Sequence, residues 1–327
     1  MRMPASGPDA TPDETRLHVV FGTGPVGLAI TDELTRTGRR VRVVSRSGRA
    51  AVGTGVEVMA GDVTDRAFAR TASAGASVVY FALNPPYHRW PELFPALQES
   101  VLDGAAAAGA KLVAMENVYM YGPTGGRPLT EDVPASPTTR KGRVRAEMTE
   151  RLFAAHRAGT VRATAGRASD VFGPRVIDSA AGSTVFGRAI AGKPAQVAGD
   201  PDLPHTYSYA PDIGRALVTL GDRDDALGRA WHLPGPETVS TRRFAELVFA
   251  AAARPPKVQA APSIVFRAMG LFNPAMREMV EMLYEFREPF ILDSSAFTGT
   301  FGGSVTPLEQ AIRETIAWYR RDPAARG

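Results

Sequence analysis

The 327-residue chain contains no cysteine, which excludes disulfides, thiolate catalysis and any zinc or iron–sulfur site with cysteine ligands. Lysine is almost as scarce. Only Lys111, Lys141, Lys193 and Lys257 occur, so 38 − 4 = 34 of the basic residues are arginines. They are scattered among 34 acidic residues, the net charge is +4, and no basic tract of the kind that binds nucleic acid is present. No run approaches the roughly 18 apolar residues of a membrane span. The first fifteen residues are rich in Pro, Ala and Asp and lack the apolar centre of a signal peptide, so they read as a disordered lead-in. A soluble, cytoplasmic protein is expected, with no nucleic-acid or membrane partner. No His/Asp/Glu spacing suits a metal, and no G-x-S-x-G elbow is present.

What remains is ordinary globular composition, 44% hydrophobic and 22% charged, at a length that suggests about two domains. The first half alternates two periodicities. Apolar runs at 17–21, 41–45, 56–60, 78–83, 111–115 and 160–166 predict strands, and the spacing predicts helices over 25–37, 92–108 and 139–157. Strands separated by helices imply βαβ units, hence an α/β, Rossmann-type doubly wound parallel sheet. After Gly173-Pro174 the pattern loosens into short helices (183–191, 211–220, 241–252, 274–288, 306–320) between Pro- and Gly-rich turns. The organisation expected is a lead-in (1–15), a dinucleotide-binding domain (16–173) and a smaller, mostly helical substrate region (174–327). Late segments at 230–233 and 289–292 are expected to return to the main sheet.

Gly22-Thr23-Gly24-Pro25-Val26-Gly27 fits G-x-G-x-x-G between the first strand and the first helix. The first glycine turns the chain, the second admits a pyrophosphate, and the third packs helix on strand. An NAD site usually ends its second strand with a carboxylate on the ribose. Here that place reads Ser45-Arg46-Ser47-Gly48-Arg49, so Ser45, Arg46 and Arg49 are expected to hold a 2′-phosphate, favouring NADP over NAD. Asp62 and Val63 are expected beside the adenine, and Ala82, Leu83 and Asn84 beside the ribose, because ligands gather at the carboxyl ends of the strands.

With Gly61-Asp62-Val63, Tyr121-Gly122-Pro123, Gly166–Pro174, His205–Ala216 and the last helix, the chain resembles the extended or atypical short-chain dehydrogenase/reductase superfamily, in its epimerase/dehydratase-like branch. The resemblance spans about residues 17–320 and implies a fold, a nicotinamide cofactor bound in part by Ala168 and Ser169, and a homodimer through the long helices. It does not specify a substrate. In that superfamily a Ser or Thr stands four residues before the Tyr-Gly pair, and a Tyr-x-x-x-Lys lies on the next helix. Here Asn117 takes the first place, Thr139 the tyrosine place and Arg143 the lysine place. Threonine has no useful acidity near neutrality, and arginine keeps its proton, so Arg143 can bind ribose or phosphate without relaying a proton.

Another acid is therefore needed. Tyr119 is expected to share a face with Asn117 if the stretch is extended. His88 is a candidate because imidazole is the side chain suited to proton exchange near neutrality, and Glu116 becomes a base if burial raises its pKa. Tyr87 and Trp90 in the stiff loop after Asn84-Pro85-Pro86, with Tyr121, His205 and Tyr207, are expected to touch substrate. Met276, Met279, Met282 and Phe286 recur at helical spacing and suit a core face or an apolar substrate wall. Two functions fit: an NADP(H)-dependent oxidoreductase acting on a small carbonyl or alcohol, or an NADP(H)-binding protein without net redox chemistry, such as an isomerase, lyase, cyclase or redox-sensing regulator.

Overall fold

The computed structural model describes residues 16–261 and 280–322. The first strands are β1 (Leu17–Phe21), β2 (Arg40–Ser45), β3 (Glu57–Ala60), β4 (Ala76–Phe81), β5 (Lys111–Glu116) and β6 (Arg162–Arg167). Short strands follow: β7 (Asp170–Phe172), β8 (Ala195–Ala198), β9 (Pro204–His205), β10 (Tyr207–Tyr209), β11 (Ala230–His232), β12 (Val239–Ser240) and β13 (Val258–Ala261). The main sheet runs β3-β2-β1-β4-β5-β6-β11, every pair parallel. Its strand order reverses between β1 and β4, which is where open α/β sheets place their ligands. Central strands buried on both faces need continuous apolar runs. Leu17–Phe21 is such a run, buried at all five positions.

Helices α1 (Pro25–Arg36), α2 (Arg66–Ser73), α3 (Trp90–Ala107), α4 (Arg140–Arg157), α5 (Phe186–Ile190), α6 (Ala210–Asp222), α7 (Thr241–Ala251), α8 (Ser295–Phe301) and α9 (Leu308–Arg321) complete the fold. One face of the sheet packs Phe94, Val101, Met148 and Leu152 from α3 and α4. The other packs Ile30 and Leu34 from α1 with Ile213 and Leu217 from α6. A Cβ on Gly214 would lie 2.6 Å from the Ala29 carbonyl, so glycine lets α6 lie against α1. A third cluster joins Phe172, Phe186, Tyr209, Phe244 and Tyr319 in the C-terminal half.

The expected strand at 230–233 does join the main sheet, as β11 beside β6. The one at 289–292 does not. With β11 already on that edge, Phe290 bridges His205 and Leu292 bridges Leu129 instead. Helix α2 has no counterpart among the expected elements. It is only eight residues long, and it is set by Asp65, whose carboxylate accepts from the Ala67 amide, and by packing on α3. The first six residues of the expected 274–288 helix, with Met276 and Met279, lie outside the described residues, as does the 1–15 lead-in. The described end of that helix, Leu283–Phe286, is a single 3-10 turn. No described helix is long and apolar enough to cross a membrane.

Candidate functional site

The glycine loop lies against the end of β4. Gly22 has φ +119°, and a Cβ there would sit 2.5 Å from the Ala82 carbonyl oxygen. A Cβ on Gly27 would strike the Gly22 carbonyl. Gly24 faces open space, with nothing within 4 Å of its would-be Cβ, and no side chain caps α1 above it. Pro25 fixes the first turn of the helix without needing a donor. Thr23 and Val26 are half-buried beside it. The free amides of the first turn therefore point into a space that an anionic pyrophosphate fits.

Around this loop the expected rim is partly assembled. Ser45 is buried, and its hydroxyl donates to the Arg49 carbonyl, closing the turn after β2. Ser45 thus shapes the loop and does not reach a phosphate. Arg46 and Arg49 are exposed, and among the described residues neither makes an ion pair. The exposed Asp62 carboxylate accepts from both the amide and the hydroxyl of Thr64, which holds its pKa below the usual value. The Val63 side chain is spent on the core. Ala82 and Leu83 are half-buried next to Gly22, and Asn84 is exposed. Ala168 is wholly buried, so its side chain touches no nucleotide. Ser169 is buried with its hydroxyl unpartnered.

Several expected catalytic roles fail on geometry. Asn117 accepts from the Tyr119 amide at 3.3 Å and so starts a single 3-10 turn, Tyr119–Tyr121. The stretch is not extended, and Asn117 and Tyr119 do not share a strand face. Thr139 is the N-cap of α4, its hydroxyl accepting from the Gly142 amide at 3.0 Å, so no hydroxyl stands free at the tyrosine place. Arg143 is exposed and donates to the Thr138 carbonyl. The buried cations of α4 are Lys141 and Arg145, which sequence reasoning missed. Their i, i+4 spacing on an otherwise apolar face was the available signal. His88 is exposed in the turn Tyr87–Arg89.

Glu116 is not a free base. It accepts from Arg167 at 3.0 Å and from the Thr149 hydroxyl at 2.8 Å. Tyr121 accepts from Arg167 at 2.6 Å and donates to His232 Nε2 at 2.7 Å, while His232 Nδ1 donates to the Asp293 carbonyl. Burial pushes His232 below its usual pKa, in keeping with a neutral ring in this tautomer. Tyr121 therefore belongs to a closed internal network, not to a substrate wall. Tyr207 is likewise structural, bonded to Thr241 and stacked 4.2 Å from Phe244.

The remaining candidates converge. The Tyr87 hydroxyl donates to the Tyr119 hydroxyl at 3.0 Å. Trp90 stacks on Tyr119 at 5.9 Å and meets Tyr87 edge-on at 4.8 Å, its indole N–H donating to the Pro85 carbonyl. Lys141, 1% exposed, lies 4.5 Å from the centre of the Tyr87 ring and pairs with Glu281 at 3.2 Å. Arg145 lies 4.7 Å from the Trp90 ring and 4.3 Å from that of Phe94, and burial brings its pKa down to about 10. His205 bonds Asp170 at 2.8 Å and stacks on Phe286. Burial raises both phenols, and the charge of Asp170 raises them further. Asp170 and Glu285 were also missed, although Asp170 lies within the motif segment 166–174. A separate open depression of about 510 Å³, lined by Thr149, Arg157, Arg167 and Arg229, lies at the β6–β11 edge rather than at the glycine loop.

Residues 19–233 match the NAD dependent epimerase/dehydratase family. No curated protein sequence matches the chain. Solved structures similar to it include the Bordetella bronchiseptica enzyme WbmH in complex with NAD+, at 18% identity and TM-score 0.71, covering 93% of this chain and 98% of that one. Thermus thermophilus UDP-glucose 4-epimerase in complex with NAD gives 18% identity and TM-score 0.74, with 94% and 99% covered. Bacillus anthracis dTDP-glucose 4,6-dehydratase in complex with NAD gives 13% and 0.76, with 95% and 98% covered. At such identities the likeness is one of fold.

Proposed function

From the premise that the chain belongs to the NAD dependent epimerase/dehydratase family, we propose that it is an NADP(H)-dependent oxidoreductase acting on a small carbonyl or alcohol substrate, with Tyr119 as proton donor. The observation that carries this reading is the Tyr87–Tyr119 hydroxyl pair, held just beyond the ends of β4 and β5. The glycine loop fits a dinucleotide, and a bound nicotinamide would supply hydride. The chain supplies the proton. Tyr87 donates to the Tyr119 oxygen, so the Tyr119 proton is the one left to give. As an alkoxide develops, that proton passes to it, and the Tyr87 hydroxyl stabilises the phenolate left behind. Burial raises the pKa of Tyr119, which keeps the phenol protonated at neutrality and makes it a weaker acid than a free tyrosine, so the transfer depends on the basicity of the developing alkoxide.

The choice of NADP rests on the end of β2. The similar structures named above hold NAD, whereas this chain has no carboxylate there and offers two exposed guanidinium groups, Arg46 and Arg49, to a 2′-phosphate. Titration by calorimetry should show NADPH binding more tightly than NADH by about 2 kcal/mol, a preference lost in Arg46→Ala. Equal affinities would remove the assignment. On a carbonyl panel, Tyr119→Phe should lose at least about tenfold in turnover with NADPH affinity intact. Unchanged turnover would move the acid elsewhere.

One observation favours the non-redox reading, in which the dinucleotide site serves an isomerase, lyase, cyclase or redox sensor. The two places where the superfamily keeps its proton machinery hold a helix cap, Thr139, and an exposed Arg143. A parent protein that binds NADPH yet turns over no member of the panel would support that reading.

A further inference from the structure

Glu285 departs from the way this protein treats its other buried carboxylates, Glu116 and Asp212, each of which is held by an arginine. It is 2% exposed, in the turn Leu283–Phe286. Among the described residues its carboxyl makes no hydrogen bond, and Oε1 is shut off from solvent without a partner. Among the described residues the charge that acts on it is another carboxylate, Asp170. An ionised carboxylate in such a place costs several kcal/mol. A buried acid avoids that cost by keeping its proton.

Its surroundings tie it to the phenol pair. Tyr284, beside it in the turn, packs against Val118, Met120 and Tyr121, the residues that bracket Tyr119, and Glu281, just before the turn, pairs with the Lys141 that lies over the Tyr87 ring. The Tyr284 hydroxyl, like Glu285 Oε1, is buried without a partner. Around this turn Asp170 on β7 holds His205 on β9, Lys141 on α4 holds Glu281, and Glu288 accepts from the amides of Thr124 and Gly125. Arg145 lies over Trp90 and Phe94 with its Nε buried and without a hydrogen-bond partner.

We propose that Glu285 is held as a neutral carboxylic acid and that its O–H, with the hydroxyls of Tyr119 and Tyr284, forms a donor cluster for an uncharged, oxygen-bearing substrate. Donors without acceptors in a dry site call for hydroxyl or carbonyl oxygens on the ligand. A carboxylate or phosphate on the substrate would instead face Asp170. This inference rests on the redox reading only for the word substrate. The protonation state of Glu285 stands apart from it and is tested without coenzyme or turnover.

The test compares thermal melts of the full chain and of Glu285→Gln from about pH 5 to about pH 9. A carboxyl whose folded pKa is raised takes up protons on folding. Its stabilising contribution is whole below the unfolded value and is lost as pH rises toward the folded one. The parent should therefore fall in Tm relative to Glu285→Gln as pH rises, the two being nearly equal at the acid end. Parallel curves, or a parent that gains on the variant, would overturn the proposal. Should Glu285→Gln fail to fold, carboxyl carbon-13 spectra of the parent decide. One glutamate carboxyl that stays protonated at neutral pH supports the proposal, and ordinary titration of every glutamate overturns it. UDP titrated into the NADP+-saturated protein should give no heat, and measurable binding would overturn the uncharged-ligand half.

Discussion

Glu116 and Glu285 are buried to the same degree, 3% and 2% exposed, yet the protein surrounds them in opposite ways. Glu116 ends β5 with both oxygens engaged, one by Arg167 and one by Thr149. Arg167 passes a further bond to Tyr121, and Tyr121 one to His232, so the network closes on itself. Nothing in it waits for a ligand. Among the described residues the Glu285 carboxyl has no partner and a like charge, Asp170, acting on it, and the hydroxyl of Tyr284 beside it is likewise buried without a partner. A satisfied buried carboxylate is architecture. An unsatisfied one is a standing cost that a site with a ligand offsets.

The largest effect should come from breaking the closed network. Glu116→Leu leaves Arg167 buried and unpaired, and urea denaturation should show a loss of about 3–5 kcal/mol. The double variant Glu116→Leu/Arg167→Met should recover most of it, because two apolar groups need no partner. If the single variant were as stable as the parent, Glu116 would not be the ionised half of a buried pair. Next in size is Tyr121→Phe. It removes the hydroxyl between Arg167 and His232 and should cost about 1–2 kcal/mol. Smallest is Glu285→Gln, which should change stability by less than about 0.5 kcal/mol at the acid end of the range, because no partner is lost. A loss as large as that of Glu116→Leu would mean the two glutamates are equivalent after all.

From sequence alone these glutamates rank the other way. Glu116 stands out because it adjoins Asn117, and nothing local marks Glu285. The reason is range. Glu116 is neutralised by Arg167, 51 positions away, and Lys141 meets Glu281 across 140. No local pattern encodes such pairings. What was legible is local: the all-apolar β1, the glycine at φ +119°, Pro25 opening α1, and the breaker after β4 that sets Tyr87 and Trp90 at the mouth. Helix α2 escaped because it is only eight residues long, about two turns of its amphipathic pattern, and its capping Asp65 lies in a run of turn-forming residues. The superfamily frame located positions 139 and 143 on the right element. It could not show that the helix starts at Arg140, which turns Thr139 into a cap.

The central claim is that the glycine loop and the Tyr87–Tyr119 pair serve one reaction. The crystal structure of the NADPH complex tests it most directly. The account predicts the pyrophosphate over Gly24, the 2′-phosphate on Arg46, and nicotinamide C4 facing the Tyr119 hydroxyl across a space the size of a small carbonyl compound. A nicotinamide turned away from Tyr119, or a 2′-phosphate left in solvent, would contradict it.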